Sequence, residues 1–226
     1  MAWREWIRDG VEVEPSLYAA DFRRLGEQID ALLAAGCRIF HFDCGDGHFV
    51  PPVTMGPVVL RSIARSIHEA GGRLDCHLMV DDPAHHLEEF ASSGADSVTF
   101  HVEAAPDADR VAEQARAHGL GVGIAFNPGT EPAQAAAAAN EAAADIVLCM
   151  SIQPGYSGQS FMPEALGRIE RLAALVDIPI QVDGGVGEGN VRALRDVGAS
   201  LLVTGSSVFS AGDPAEAYAR LAAAAA

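Results

Sequence analysis

The chain has 226 residues and a formal net charge of −16, and all 15 of its basic residues are arginine. Its acidity argues against nucleic-acid binding, which depends on neutralising phosphates with lysine and arginine. The absence of lysine excludes any reaction through a lysine Schiff base. No apolar run approaches the roughly 18 residues of a membrane helix. We therefore expect no membrane partner and, because of the acidity, no nucleic-acid partner.

The N-terminus and the cysteines indicate a cytoplasmic protein. The first eight residues include acidic and aromatic side chains and lack the apolar core of a secretory signal. The four cysteines show no CxxC spacing, and three of them lie in or beside apolar runs. Small buried thiols in a reducing compartment fit this pattern better than disulfides do.

Eight short apolar runs alternate with segments in which Ala, Leu, Glu and Arg recur at helical spacing. Nearly continuous apolar runs are typical of parallel strands covered on both faces. The sequence predicts strands at Val11–Ser16, Arg38–Asp43, Leu74–Met79, Ser97–His101, Gly121–Phe126, Asp145–Met150, Ile180–Asp183 and Leu201–Thr204. It predicts helices at Asp21–Ala35, Pro57–Ala70, Pro83–Ser93, Asp109–His118, Ala133–Ala139, Pro163–Leu175 and Glu188–Val197.

Helix-end signals support this alternation. Gly36, Gly94 and Gly198 each follow a predicted helix, where glycine accepts the left-handed backbone that ends it. Eight βα units in this length predict an α/β fold, a (β/α)8 TIM barrel in which residues 1–226 form a single domain. A doubly wound open sheet is the alternative, but it needs fewer strands, and no GxGxxG turn follows a strand. The segment before Val11 could close the barrel bottom as an extra helix.

Potential metal ligands lie at three predicted strand ends. His41 and Asp43 are two residues apart and would therefore project from one face of a strand. His77 and Asp183 end two other strands. One such residue alone is more often a hydrogen-bonded loop anchor. Four at the active face of a barrel predict a site for a divalent cation such as Zn²⁺, Mn²⁺, Fe²⁺ or Co²⁺.

The two carboxylates could also transfer protons. The second and seventh strands of an eight-stranded barrel are three steps apart, so Asp43 and Asp183 would flank a ligand from different walls. One carboxylate could remove a proton next to a carbonyl group while the other returns a proton to the opposite face. Asp46, in Asp46-Gly47, is interpreted as a turn former. His48 and His101 could line the mouth of the barrel, although an exposed or satisfied core residue is the default interpretation of each.

Glycine-containing turns follow the last three predicted strands. They are Pro154–Gly158, Asp183–Val186 and Gly205-Ser206. Glycine lets backbone N–H groups approach an anion closely, and loops after the last barrel strands commonly hold phosphate. These turns predict a phosphate site that needs no lysine.

Motifs along almost the whole chain resemble the ribulose-phosphate 3-epimerase family. They include Pro15-Ser16, His41-Phe42-Asp43, Cys76-His77-Leu78-Met79, Asn127-Pro128-Gly129 and Val182-Asp183-Gly184-Gly185-Val186, in the family's order. Each motif is short, but together they are specific.

The resemblance implies a barrel of the ribulose-phosphate-binding type and interconversion of D-ribulose 5-phosphate and D-xylulose 5-phosphate. It implies one divalent metal on His41, Asp43, His77 and Asp183, with Asp43 as base and Asp183 as acid. It suggests a homo-oligomer. It also implies that the phosphorylated ketose is bound by Ser16, His77, Met79, Met150, Gly155, Tyr156, Ser157, Gly158, Gly184, Gly185, Val186, Gly205 and Ser206.

Gly45 departs from the family pattern, which has methionine there. We expect this change to remove an apolar wall and to open space near the metal. The variant Gly45→Met would test this expectation. A 3-epimerase of a ketohexose 6-phosphate, such as allulose 6-phosphate, is an alternative, as is a diverged phosphate-binding barrel with little turnover. The Gly184-Gly185-Val186 stretch favours the pentulose enzyme.

Overall fold

The computed structural model describes residues 3–7 and 10–226 and contains one parallel sheet of eight strands. The strands are β1 Glu12–Pro15, β2 Ile39–Gly45, β3 Arg73–Met79, β4 Ser97–His101, β5 Gly121–Phe126, β6 Ile146–Met150, β7 Ile180–Asp183 and β8 Ala199–Thr204. All eight coincide with the predicted runs to within a few residues. The predicted strands are therefore confirmed. Nearly every strand residue is buried, as expected for a sheet covered on both faces.

The sheet curls into a barrel. Its hydrogen-bonded order runs from β1 through β8 and down to β2. A parallel bridge between Ser16 and His41 joins the two end strands. The fold is therefore the predicted (β/α)8 TIM barrel, and all strand C-termini point to one face.

Helices surround the strands. They are α1 Trp3–Trp6, α2 Leu25–Ala34, α3 Pro57–Glu69, α4 Pro83–Ser93, α5 Ala108–Ala117, α6 Pro132–Glu141, α7 Glu164–Ala173, α8 Val191–Asp196, α9 Ser206–Phe209 and α10 Pro214–Ala225. Among the residues described, no helix is both long and apolar enough to span a bilayer.

The predicted helix at Asp21–Ala35 is divided. The Asp21 side chain accepts a hydrogen bond from the Arg23 N–H and begins a short 3₁₀ turn, Phe22–Arg24. The α-helix α2 starts only at Leu25. The predicted helix-ending glycines Gly36, Gly94 and Gly198 all have positive φ angles, between 94° and 107°. The glycines therefore mark the helix ends correctly, whereas the predicted start of α2 at Asp21 was wrong.

The register of β2 against β3 determines which polar groups meet inside the barrel. Asp43 pairs with His77 near the active face, and His41 pairs with Asp75 one layer below. Inward-pointing residues of a barrel lie in layers contributed by alternate strands. The register therefore stacks a second polar layer directly beneath the predicted metal ligands.

The short helix α1 closes the opposite end of the barrel. Trp3 is almost completely buried and packs with Ile39, Ile146 and Leu201. Ile39 and Ile146 are the first residues of their strands. Of the possibilities that the sequence left open, the structure therefore shows a short N-terminal helix at the barrel bottom.

Candidate active site

Four of the predicted side chains meet at the C-terminal face. His41 and Asp43 project from β2, His77 from β3 and Asp183 from the end of β7. Each offers one ligand atom, and these four atoms all lie within 4.8 Å of one another. The structure thus brings together the cluster that the strand-end pattern predicted.

Asp43 is held by three neighbours. Its Oδ2 accepts a hydrogen bond of 2.5 Å from the Ser16 hydroxyl. Its Oδ1 lies 3.1 Å from His77 Nδ1 and 3.3 Å from His41 Nε2. Burial alone would raise the pKa of Asp43, but the adjacent imidazole of His41, followed by that of His77, holds this pKa well below its usual range. Asp43 is therefore ionised at neutral pH.

Asp183 has the opposite character. Its Oδ2 lies 3.8 Å from His77 Nδ1, and its side chain is 16% exposed. Burial, followed by the charge of Asp43, raises the pKa of Asp183 to about 6. One site therefore contains a carboxylate that stays ionised and a carboxyl group that accepts a proton readily.

A buried polar layer supports His41 from below. Asp75 is completely buried, and its Oδ2 lies 3.1 Å from His41 Nδ1. Asp75 also accepts hydrogen bonds from the Ser97 hydroxyl at 2.8 Å and from the Gln181 amide at 2.8 Å. The same Gln181 amide group donates to Glu14. Asp75 can thus fix the ring of His41 with Nε2 towards Asp43.

A second polar contact reaches His77 from the side. His77 Nε2 lies 2.8 Å from His101 Nε2, and His101 Nδ1 lies 3.2 Å from Glu103 Oε2. Burial lowers the pKa of His101 to about 4 despite this carboxylate. Burial would raise the pKa of Glu103, but hydrogen bonds from His101, Thr130 and Asn127 lower it to about 2.

The sequence pattern did not point to Asp75, Glu14, Gln181 or Glu103. His101 was interpreted as a residue that could line the mouth, with an exposed or satisfied core residue as the default. The two-residue spacing of polar side chains along a strand could have pointed to Asp75, His101 and Glu103. Asp75 precedes His77 by two residues and His101 precedes Glu103 by two, which is the spacing that singled out His41 and Asp43. Asp46 is the turn former that was predicted, since its side chain accepts hydrogen bonds from His48 N–H and Phe49 N–H.

An open pocket lies against Asp43 and Asp183. His77, which was also predicted to contact the substrate, is not part of the lining. The other predicted contact residues all are: Ser16, Met79, Met150, Gly155, Tyr156, Ser157, Gly158, Gly184, Gly185, Val186, Gly205 and Ser206. The lining also contains Tyr18, Ile152 and Val203, which were not predicted. The three glycine turns therefore line the same pocket as the two carboxylates.

Two glycines are required where these turns pack together. Gly185 has φ of 64°, and a Cβ there would lie 2.5 Å from the Phe161 backbone nitrogen. Gly184 has φ of 119°, and a Cβ there would lie 2.3 Å from Ile152 Cγ1. The loop after β7 thus packs directly on the segment after β6, at a distance that no side chain allows.

Comparison with known proteins identifies the family. A model of the Ribulose-phosphate 3 epimerase family matches residues 12–209. A ribulose-phosphate 3-epimerase of Escherichia coli (strain K12) is 36% identical over 206 residues, which cover 89% of this chain and 90% of the relative. This chain belongs to the ribulose-phosphate 3-epimerase family.

Further relatives of this epimerase family come from other lineages. A ribulose-phosphate 3-epimerase of Synechocystis sp. is 39% identical and covers 92% of each chain. The cytoplasmic isoform of Oryza sativa subsp. japonica is 35% identical and covers 93% of this chain and 92% of the relative. A solved 3-hexulose-6-phosphate synthase superposes with a TM-score of 0.75 at 20% identity, over 96% of this chain and all of that one. This last similarity supports the barrel fold alone.

The residues present fit the divalent cation that the epimerase family implies. His41 Nε2 is buried and has no hydrogen-bond partner among the described residues. It faces the Asp43 carboxylate, and the carboxylate of Asp183 lies in the same cluster. Imidazole nitrogens grouped with carboxylate oxygens form the kind of ligand set that Zn²⁺ and similar ions prefer.

Gly45 does not open the site, contrary to the expectation for this departure from the epimerase family. A Cβ on Gly45 would lie 2.8 Å from both the Pro52 carbonyl oxygen and Val50 Cγ2. Thr54 holds this loop in place, because its hydroxyl group accepts from Gly45 N–H and donates to the Asp43 carbonyl. The loop after β2 fills the space, so Gly45→Met would displace that loop and is not a simple restoration.

Proposed function

We propose that this protein is a metal-dependent 3-epimerase that interconverts D-ribulose 5-phosphate and D-xylulose 5-phosphate. The observation that carries the proposal is the pair of carboxylates, Asp43 and Asp183, which reach one pocket from strands three steps apart around the barrel. Relatives with this name, of 34% to 39% identity over about nine tenths of the chain, support the choice of substrate.

Proton transfer is divided between the two carboxylates. Asp43 is ionised and removes the C3 proton of ribulose 5-phosphate from one face of the sugar. Asp183, whose pKa is raised to about 6, delivers a proton to the opposite face. In the reverse direction the two residues exchange roles. Ser16 holds Asp43 through the hydrogen bond to its Oδ2 and thereby keeps the other oxygen beside the histidines.

The four-residue cluster would hold one divalent cation, through His41, Asp43, His77 and Asp183. Zn²⁺, Fe²⁺, Mn²⁺ and Co²⁺ all suit two imidazoles and two carboxylates. When bound, such an ion supplies Lewis-acid stabilisation of the negative charge that develops on the enediolate oxygens of the substrate.

The pocket lining orients the ketose. The glycine turns after β6, β7 and β8 lie at one side of the pocket and offer backbone N–H groups for the phosphate. Met79 and Met150 are almost completely buried beside the carboxylates. Their apolar side chains exclude water from the reacting carbons, which strengthens the electrostatic interactions of the site.

The test is an epimerisation assay of the purified protein with its metal content measured in parallel. Ribulose 5-phosphate and allulose 6-phosphate are offered with Zn²⁺, Fe²⁺, Mn²⁺ or Co²⁺. We expect about one equivalent of bound metal and a higher kcat/KM for the pentulose. Metal-free protein that leaves C3 of ribulose 5-phosphate unexchanged would contradict the proposal, and a preference for allulose 6-phosphate would contradict the assigned substrate.

A further inference from the structure

We propose that His101 and Glu103 are positioning residues that fix the ring of His77 so that its Nδ1 presents a lone pair to the metal site. The proposal rests on the metal site of the proposed function. It concerns two residues that the strand-end pattern did not assign to the metal site. They form a continuous line of polar contacts with His77, which we call the β4 relay: His77, His101 and Glu103.

Glu103 can only accept hydrogen bonds from its neighbours. Its Oε1 accepts from the Asn127 N–H at 2.8 Å and from the Thr130 hydroxyl group. Its Oε2 lies 3.2 Å from His101 Nδ1. Because one oxygen is held by a backbone donor and by a hydroxyl donor, the carboxylate is anchored, and the remaining contact requires a proton on His101 Nδ1.

The proton on His101 Nδ1 determines which ring donates in the contact between His101 and His77. His101 is completely buried, and an imidazole ring in its neutral form carries a single proton. With that proton on Nδ1, Nε2 of His101 is an acceptor. It lies 2.8 Å from His77 Nε2, which must therefore donate. With a cation at the site His77 would be neutral, and because it donates from Nε2 its lone pair would lie on Nδ1.

The Nδ1 atom of His77 is the one that faces the carboxylates. It lies 3.1 Å from Asp43 Oδ1 and 3.8 Å from Asp183 Oδ2. His41 is oriented by the same device with the opposite nitrogen, since Asp75 holds its Nδ1 and its Nε2 faces Asp43. Two carboxylates, Asp75 and Glu103, thus set which nitrogen of each histidine is available to a cation.

Glu103→Gln should reverse the direction of hydrogen bonding along the β4 relay while keeping the size of the side chain. The Asn127 N–H can only donate, so the amide oxygen of Gln must face it and the amide NH₂ group must face His101. His101 then accepts at Nδ1 and carries its proton on Nε2, opposite His77 Nε2. His77 relieves this conflict by moving its proton to Nδ1, where it blocks metal binding.

The experiment measures Zn²⁺ affinity by chelator competition for the full chain and for two variants. We expect Glu103→Gln to weaken Zn²⁺ binding by about 10- to 100-fold, which is the usual effect of losing a residue that orients a ligand. Asp96→Asn is the matched control, because Asp96 also binds a histidine, His68, and a backbone N–H, that of Leu74, away from the site. Its Zn²⁺ affinity should equal that of the wild type.

A spectroscopic measurement separates this role from a general structural one. Nitrogen-15 NMR of the zinc-loaded wild-type protein should show His77 protonated on Nε2 and metal-bound through Nδ1. A His77 proton on Nδ1, or unchanged Zn²⁺ affinity in folded Glu103→Gln, would overturn the β4 relay alone. Failure of the wild-type protein to bind Zn²⁺ at all would instead overturn the metal site of the proposed function, and the relay with it.

Discussion

Asp43 and Asp183 carry the same functional group but differ in electrostatic surroundings. Asp43 lies between two imidazoles and a hydroxyl donor, which lower its pKa. Asp183 lies farther from the imidazoles and nearer to solvent, and burial together with the charge of Asp43 raises its pKa to about 6. Since a base must be ionised and an acid protonated, this difference prepares the pair for one direction of proton transfer.

Glu14 provides a residue-scale prediction about pH. Burial, with the charge of Asp75 adding to it, raises the pKa of Glu14 from its usual 4.5 to about 8. Between these values the folded metal-free protein binds more protons than the unfolded chain. Its free energy of unfolding should therefore fall as the pH rises through this window. The contribution of one group reaches at most about 1.4 kcal/mol per pH unit.

Glu14→Gln keeps the shape of the side chain but cannot ionise, so it should remove this contribution to the fall. Urea unfolding at pH 5 and at pH 8 measures the effect. Glu27→Gln is the matched control, because Glu27 forms an exposed ion pair with Arg24 and its side chain is 71% exposed. Identical pH dependence in the wild type and in Glu14→Gln would show that Glu14 ionises normally.

At the scale of elements, the strand ends were predictable and the contacts between strands were not. A pair such as His41 and Asp43 is visible because alternation along one strand puts both on one face. The contact of His41 with Asp75, or of His77 with His101, depends on the register of neighbouring strands. Register is set by packing around the whole barrel, so these partners were missed.

The loops also differ in what the sequence could show, because their composition was visible and their packing was not. Their glycines indicated a phosphate site, and the three turns do line one pocket. The loop after β2 was misread at Gly45, because a single substitution cannot show that Val50 and the Pro52 backbone have filled the space. A missing side chain leaves a cavity only where its surroundings fail to close.

The loop after β7 carries an element-scale prediction. In Gly185→Ala the new methyl group would meet the Phe161 backbone and force apart two turns that line the pocket. We expect KM for ribulose 5-phosphate to rise about tenfold or more, which corresponds to about 1.4 kcal/mol of lost binding. Steady-state kinetics measure this change.

Gly167→Ala is the matched control for that substitution. Gly167 lies within α7, and a Cβ there would meet nothing within 4 Å. Alanine at this position should leave KM unchanged and stabilise the helix by up to about 1 kcal/mol. Equal KM values in Gly185→Ala and Gly167→Ala would contradict the role given to the β7 loop.

At the scale of the molecule, the barrel separates stability from chemistry. The chemical groups lie at the strand C-termini, while Trp3 and its apolar neighbours close the opposite end. The overall fold could be predicted because eight apolar runs with helix-ending glycines leave few other arrangements. The contribution of the N-terminal segment could be suggested only, since its few residues carry no periodic pattern.

Trp3→Ala tests this separation. Loss of a buried Trp side chain should lower the free energy of unfolding by about 3–5 kcal/mol, while Zn²⁺ affinity and kcat stay near the wild-type values. Trp6→Ala is the control, because Trp6 is only partly buried against the same cluster and should cost less. A large loss of kcat in folded Trp3→Ala would show that the two ends of the barrel are coupled.

The two-base transfer is the central claim, and hydrogen exchange at C3 tests it most directly. Asp183→Asn, with its metal content verified, is incubated with ribulose 5-phosphate in D₂O. The account predicts that deuterium still enters C3 of ribulose 5-phosphate through Asp43, while formation of xylulose 5-phosphate falls by about 10²- to 10⁴-fold. Formation of xylulose 5-phosphate by Asp183→Asn at nearly the wild-type rate would contradict it.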